Sequence, residues 1–464
     1  MKNPACLRPV ADPRRPGRGT GTTRGRTDAR APNGEGTRPA PWLSFNATEL
    51  PGPLAESAPA FGPNRFLLGA NLPWVRYGLD YGSSAATPQG GLHADASAAG
   101  LLDAALARLR RDGVQHARVF VFCDGRAGIR LAPDGTPEGL DGSVFSDVDV
   151  LLAAAERHRL GLLLVLFDAG LVAAPSVVDG VSGGGHGALL ADAEKRQALL
   201  ERVLVPLLAH YGEHPAIDGW DVFDEPECVT SGMRNPEPPA PRRRPRLLRK
   251  LGGSVSRVGR RLGLGGGDAP GPALIEAEAM RAFLGAAVNA VHRHTRALAT
   301  VGLASTANLQ LVQGLGLDFY QVHWWEPYGD ARLRQAVADL RLDRPLVLGA
   351  FPAATRRKSV KTVLDTARSA GYGGALVWSV RAVDGRGGQD GQLAQWAKNH
   401  AAHLHRRPFR TEPPVAAAAP TLAPPLPAAA SPARDIDEAE AEDRVRSSPA
   451  DAEPSGRGLA AAPV

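Results

Sequence analysis

Cysteine is scarce in this chain of 464 residues, and its positions lie far apart. The three cysteines are Cys6, Cys123 and Cys228. Three thiols this scattered cannot build the disulfide framework of a small secreted domain or a cysteine-based zinc site. The sequence therefore predicts reduced thiols, and no motif in it indicates a metal ion or an organic cofactor.

Long apolar runs are also missing. No run reaches the roughly 18 residues that a membrane-spanning helix needs. The N-terminus has proline and arginine where a secretory signal would have its apolar core. These two absences predict a cytoplasmic protein, and secretion would require a start site other than Met1.

The middle of the chain lacks an excess of positive charge, although the whole chain has a formal net charge of +6. Residues 1–40 hold nine Lys/Arg and three acids, and residues 242–261 hold nine Lys/Arg and no acid. The remaining central part is mildly acidic, which argues against a nucleic-acid partner because phosphate binding needs a basic face on the folded domain. Composition predicts disordered tails at 1–60 and 409–464, which leave a single domain at 61–408.

Within that domain, short apolar runs alternate with longer segments of helical period. This alternation is typical of βα units around a parallel sheet, and eight units in roughly 340 residues predict a (β/α)₈ TIM barrel of the α/β class. A doubly wound open sheet is the alternative, but no G-x-G-x-x-G follows the first strand. The predicted strands are Phe66–Leu72, Ala117–Cys123, Gly161–Asp168, Ile217–Asp224, Ala299–Ala304, Leu317–Trp324, Pro345–Phe351 and Gly374–Val380.

A basic insertion, 229–272, interrupts the pattern after the fourth strand. Its segment 242–263 places apolar residues on one helical face among many Lys/Arg, which is typical of a helix that binds an anionic membrane surface or a protein partner. Interior glycines favour the alternative, a solvated flexible insertion. The apolar residues are Leu247, Leu251, Val255, Val258 and Leu262.

The fourth predicted strand ends in the sequence WDVFDEPE, Trp220–Glu227. Asp224 and Glu225 stand at the strand terminus, where Pro226 stops the strand. Functional side chains of (β/α)₈ barrels collect at these carboxyl ends, so an acid pair here predicts chemistry. The alternative is that both acids cap the following helix.

WDVFDEPE resembles the W-D-x-x-N-E-P sequence on strand four of the retaining (β/α)₈ glycoside hydrolases of the cellulase and β-mannanase type. Further segments resemble the same family in the same order: Gly69–Gly78, Arg118, Tyr320–Pro327 and Leu376–Ser379. The resemblance covers about residues 64–405. It implies that Glu225 is the general acid/base, which protonates a glycosidic oxygen and needs a raised pKa to hold its proton near neutrality.

The resemblance also implies a set of carbohydrate-binding residues. Tryptophan offers a flat apolar face to the C–H groups of a sugar, but it equally often fills a core. His323 is either a sugar contact or a hydrogen-bonded structural histidine, and Arg118 is either a binding residue or an interior salt-bridge partner. The implied binding residues are Trp74, Arg118, Asp224, His323, Trp325 and Trp378.

Two positions depart from the family pattern. Where the family has its nucleophilic glutamate on strand seven, the sequence PLVLGAF has Ala350, and the motif's asparagine is Asp224. A retaining mechanism needs two carboxyl groups about 5–5.5 Å apart, and a methyl group cannot attack. Asp224, Glu326 and Asp168 are the candidate substitutes. An inverting reaction tolerates a gap of roughly 6.5–9.5 Å with a water between the carboxyl groups, which would allow Glu326 or Asp168 to act as its base.

Two functions therefore remain open. One is a glycoside hydrolase that acts on a β-linked poly- or oligosaccharide with Glu225 as general acid/base. The other is a catalytically inert barrel that binds a glycan. Either function predicts a carbohydrate ligand, and we expect a monomer.

Overall fold

The structure is a computed structural model that describes residues 61–233, 274–326, 329–353, 357–381 and 391–405. The predicted tails and the basic segment 242–263 lie outside these residues, so their properties stay predictions. None of the helices in the described part of the chain is long and apolar enough to cross a membrane.

Eight parallel strands form a closed barrel in which each strand pairs with its neighbours along the chain and the last pairs with the first. The predicted (β/α)₈ barrel is confirmed. The strands are β1 (Leu67–Asn71), β2 (His116–Phe120), β3 (Gly161–Asp168), β4 (Ile217–Asp224), β5 (Leu298–Leu303), β6 (Tyr320–His323), β7 (Leu346–Pro352) and β8 (Gly374–Trp378).

Helices cover the outside of the barrel between the strands. They are α1 (Ala96–Arg111), α2 (Val144–Arg157), α3 (Ala188–Ala191), α4 (Ala193–Leu199), α5 (Val205–His210), α6 (Ala277–His294), α7 (Asp330–Arg334), α8 (Val360–Ser369) and α9 (Gln392–Asn399). A π-helical turn, Leu200–Leu204, joins α4 to α5. Short 3₁₀ helices are Ala169–Leu171, Pro226–Val229, Thr306–Leu311, Val337–Leu340 and Ala401–His403.

The strands are mostly apolar because they are covered on both faces. In β3 the sequence GLLLVLFD is buried up to its last residue, Asp168, which is half-buried at the carboxyl end. The helices bury one face only. In α8 the buried residues are Val360, Val363, Leu364 and Ala367, and the side chain of Ser359 caps the helix by accepting a hydrogen bond from the Thr362 N–H at 3.1 Å.

Two short antiparallel hairpins lie outside the barrel and were not predicted. One pairs Ile129–Leu131 with Pro137–Leu140, and the other pairs Ser176–Val178 with Val181–Gly183. The prediction of the sixth strand also began too early. Asp318 lies in the turn before β6, where its N–H donates to the Ala299 carbonyl at 3.0 Å and its carboxylate accepts from the Ala299 N–H at 2.7 Å.

Candidate active site

Five strands bring the predicted site residues together at the carboxyl end of the barrel. Glu225 directly follows β4, His323 is the last residue of β6, and Trp378 is the last residue of β8. Ala350 lies in β7, opposite His323 in the strand register. Arg118 lies in β2 and reaches this group through its ion pair with Asp224. The five residues therefore belong to one end of the barrel, either directly or through this contact.

Glu225 has an unusual backbone conformation. Its φ is +54° and its ψ is +49°, in the left-handed region that residues other than glycine rarely adopt. The Glu225 N–H donates to the Gly302 carbonyl at 2.7 Å, and Pro226 begins a 3₁₀ turn directly after it. The sharp turn aims the Glu225 side chain at His323 on β6 instead of along the β4 axis.

His323 contacts both acids of the motif. Its Nδ1 is 2.9 Å from Oε1 of Glu225, and its Nε2 is 3.6 Å from Oδ1 of Asp224. Burial, and then the positive charge of Arg118, lower the pKa of His323 to about 3, so the ring is neutral. Nδ1 and Oε1 of Glu225 share a hydrogen bond, and Nε2 is buried without a hydrogen-bond partner among the described residues.

Arg118 is the centre of a buried polar network inside the barrel. Its Nη2 donates to Asp221 at 2.6 Å and to Asp224 at 2.5 Å, and its Nη1 donates to Asn71 at 3.2 Å. Gln321 donates to the same Asp221 oxygen at 2.5 Å. The sequence did not single out Asn71, Asp221 or Gln321. Asp221 is a charged residue inside a mostly apolar strand, β4, and this position could have indicated a buried polar network.

An aromatic cluster forms one wall of this end of the barrel. The ring of Trp378 lies 6.0 Å from that of Trp74 and 6.1 Å from that of Trp325, both nearly edge to face. Phe120 is 5.6 Å from Trp74 in the same geometry. Trp325 and Trp378 are buried, whereas Trp74 is half-buried and presents part of its ring to solvent.

Ala350 is packed into this aromatic wall. It is 1% exposed and belongs to the same apolar cluster as Trp325, Trp378 and Cys228. The Trp324 N–H donates to the Ala350 carbonyl at 2.9 Å, which fixes the β6–β7 register at the site. The Ala350 methyl group therefore lies among apolar side chains, with His323 beside it in the strand register.

Comparison with known proteins identifies two relatives of similar length. The chain is 26% identical over 343 residues to a mannan endo-1,4-beta-mannosidase of Mytilus edulis, a match that covers 68% of this chain and 84% of that one. It is 22% identical over 345 residues to a protein of the same description from Cryptopygus antarcticus, covering 68% and 81%. No family model matches the chain.

Solved structures agree on the architecture. The beta-mannanase from Mytilus edulis superposes with a TM-score of 0.54 at 24% identity, covering 73% of this chain and 93% of that one. The endo-1,4-beta-mannanase from Eisenia fetida gives 0.54 at 21%, covering 74% and 91%. The chain has the fold of the β-mannanases. In this mannanase-type barrel the polar and aromatic residues above lie at the carboxyl ends of the strands, where (β/α)₈ enzymes have their active sites.

Asp168, a predicted substitute carboxylate, ends β3 of the mannanase-type barrel beside Asp224 in the strand register. Tyr77 donates to it at 3.0 Å and the Gly170 N–H donates at 2.7 Å. Burial, and then the nearby charge of Asp124, raise the pKa of Asp168 to about 7. Glu326, the other predicted substitute, is half-buried after Trp325, beyond the end of β6.

The sequence did not predict one buried acid behind Glu225. Glu227 is 1% exposed, and its Oε1 accepts from the Ser305 N–H at 3.2 Å and from Asn308 at 3.4 Å. Burial raises its pKa to about 8. These bonds tie the loop after β4 to the loop after β5, and so support the turn that holds Glu225.

Proposed function

We propose that this protein is of the glycoside hydrolase type and engages a β-1,4-linked mannan or manno-oligosaccharide, with Glu225 as general acid/base. The observation that carries the proposal is the position of Glu225 at the end of β4, with its carboxyl group hydrogen-bonded to neutral His323. The names of the two relatives support the choice of sugar polymer.

The geometry supports an acid role for Glu225. Oε1 of Glu225 lies 2.9 Å from Nδ1 of His323, so in the proposed reaction the proton of the neutral carboxyl group is carried by Oε2. From there it can pass to the glycosidic oxygen as the bond to the leaving sugar breaks. Neutral His323 orients the group without competing for that proton.

Among the described residues, the proposed reaction lacks a well-placed group to attack the anomeric carbon. Ala350 supplies only a methyl group, in apolar surroundings. Asp224 has an oxygen within 4.8 Å of the Glu225 carboxylate. Arg118 donates a hydrogen bond to Oδ1 of Asp224, and the same oxygen lies 3.6 Å from Nε2 of His323. The spacing of the two carboxyl groups is shorter than the roughly 6.5 Å an inverting pair needs to hold water between the two groups. We therefore expect hydrolysis to be slow.

The apolar wall at Ala350 favours a second function, glycan binding without turnover. Binding needs the polar groups and the rim tryptophan Trp74, but no nucleophile. The two functions differ in one observable, which is whether bound oligosaccharide is cleaved at a rate that depends on Glu225.

The test combines calorimetric binding of mannohexaose with a long incubation that follows product release. We expect binding that Trp74→Ala weakens at least tenfold, and slow cleavage that Glu225→Gln abolishes while binding is kept. Binding with no cleavage in either protein supports the second function. Absence of binding to mannan, cellulose and xylan oligosaccharides contradicts both functions.

A further inference from the structure

Three potential metal ligands from two distant parts of the sequence meet at the carboxyl end of the barrel. Oxygen atoms of Asp224 and Glu225 and a ring nitrogen of His323 all lie within 4.8 Å of one another. All three residues are buried. The sequence alone did not indicate this group, because His323 lies far along the chain from the acid pair.

His323 presents to this group a buried ring nitrogen without a hydrogen-bond partner in the described part of the chain. The atom is Nε2, and it faces Oδ1 of Asp224 at 3.6 Å. A buried polar atom that makes no hydrogen bond is destabilising. A cation between the nitrogen and the oxygen would convert an unfavourable contact into two ligand bonds.

The charges around the group also favour a cation. Asp221, Asp224 and Glu225 bring three carboxyl groups, and the guanidinium group of Arg118 contacts Asp221 and Asp224. Arg118 is already shared between Asp221 and Asp224. Its bond to Asp224 resembles the outer hydrogen bonds that orient carboxylate ligands in metal sites.

We propose that Asp224, Glu225 and His323 bind one divalent transition-metal ion, of which Zn²⁺ is the representative. Ligands at about 2.0–2.2 Å from zinc lie about 3–4 Å from one another, so the 3.6 Å separation of His323 and Asp224 is already suitable. Glu225 completes the set when its side chain turns from Nδ1 towards the ion. An imidazole ligand favours zinc, copper, iron or nickel over magnesium, calcium and manganese.

This site goes beyond the proposed sugar chemistry and competes with it. A Glu225 carboxylate bound to a metal ion cannot carry the proton that a glycosidic oxygen needs. The metal-bound protein would therefore be unable to use Glu225 as an acid, and the metal-free protein would recover that ability. Metal binding is measurable without any sugar, so either proposal can fail while the other stands.

The experiment uses the full chain without a histidine tag, stripped with a chelator and dialysed against Zn²⁺. We expect one equivalent of bound zinc, and an absorption band in the visible range when Co²⁺ replaces it. His323→Ala and Asp224→Asn should each weaken zinc binding at least tenfold. His292→Ala is the matched control, because His292 pairs with Asp318 at 3.0 Å away from this group and should leave zinc binding unchanged.

Thermal melting of each variant shows whether it is folded, and Asp224→Asn serves alone if His323→Ala does not fold. Failure of the wild-type protein to bind a stoichiometric equivalent of zinc overturns the proposal. So does zinc affinity in a folded Asp224 or His323 variant equal to that of His292→Ala. Retained mannohexaose binding in the same protein would show that the sugar proposal is unaffected.

Discussion

Glu225 has a backbone conformation that costs of order 1–3 kcal/mol for a residue other than glycine. Such strain persists only where the surrounding structure fixes it. Here the Glu225 N–H donates a hydrogen bond to the Gly302 carbonyl. The Glu227 carboxylate accepts a hydrogen bond from the Ser305 N–H and so fixes the loop that follows Glu225. The strained turn directs the carboxyl group at His323.

The Ala350 position provides a direct test of the missing attack. Replacing Ala350 by glutamate places a carboxylate on β7 in register with His323, on the wall that faces the proposed sugar site. We expect Ala350→Glu to hydrolyse an activated aryl mannoside at least about tenfold faster than wild type, which corresponds to about 1.4 kcal/mol of barrier. The measurement is initial rate against substrate concentration.

Ala350→Gln is the matched control, because it has the size of glutamate and cannot act as a nucleophile. It should show no gain. In the natural protein, azide beside Ala350 should serve as an external nucleophile and yield a glycosyl azide. A folded Ala350→Glu protein that binds sugar but gains no activity, with azide also silent, would favour glycan binding without turnover.

The sequence was sufficient to single out residues of the candidate site, but not to predict which of their side chains contact one another. Glu225 stood out because it stands at the carboxyl end of an apolar strand, and His323 because the segment Tyr320–Pro327 resembles the glycoside hydrolase family. The pairing of Arg118 with Asp221 could not be read from the sequence, because it depends on the stagger of β2 against β4 across the barrel interior. Side chains pointing inward from different strands meet only after the barrel closes.

At the level of elements, the barrel strands were predicted to within a few residues because complete burial makes them continuous apolar runs. The hairpin of Ser176–Val178 with Val181–Gly183 has no such run, since its first strand alternates half-buried and exposed residues. Its turn contains Asp179 and Gly180, both with positive φ. The Asp-Gly pair was the local signal for this hairpin.

Helix α8 offers a test of how the outer layer supports the site, because it packs on β7 and β8, which carry Ala350 and Trp378. Ser359→Ala removes the hydrogen bond to the Thr362 N–H at the start of this helix. We expect a loss of about 1 kcal/mol in the free energy of unfolding, measured by urea denaturation. Ser359→Asp preserves a capping oxygen and should retain most of the stability; an equal loss in both variants would contradict a capping role.

The basic segment 242–263 lies outside the described residues, and its membrane or partner role stays a prediction. If it is a surface-binding helix, deletion of residues 242–267 should abolish salt-sensitive binding to anionic liposomes. The melting temperature of the barrel should change little, because the segment is an insertion between β4 and α6. Equal liposome binding with and without the segment would leave the solvated-insertion alternative.

At the scale of the whole molecule, the barrel carries buried acids whose protonated forms are favoured by the fold. Burial raises the pKa of Asp168 to about 7 and that of Glu227 to about 8, each from an ordinary value near 4. Folding therefore takes up protons at neutral pH. His323 has the opposite linkage, since its lowered pKa of about 3 makes folding release a proton only below about pH 6.5.

These signs predict that the protein becomes more stable as pH falls from about 8.5 to about 6.5. In that window the folded state binds more protons than the unfolded state at Asp168 and Glu227, and His323 opposes this only towards pH 6.5, where an unfolded histidine begins to take up a proton. Each group contributes at most about 1.4 kcal/mol per pH unit. Melting temperatures measured with EDTA across this range should rise towards lower pH, and Glu227→Gln should flatten the rise, because an amide has no proton to take up on folding. A wild-type profile that is flat or falls over the same range would show that these acids are ionised in the folded barrel.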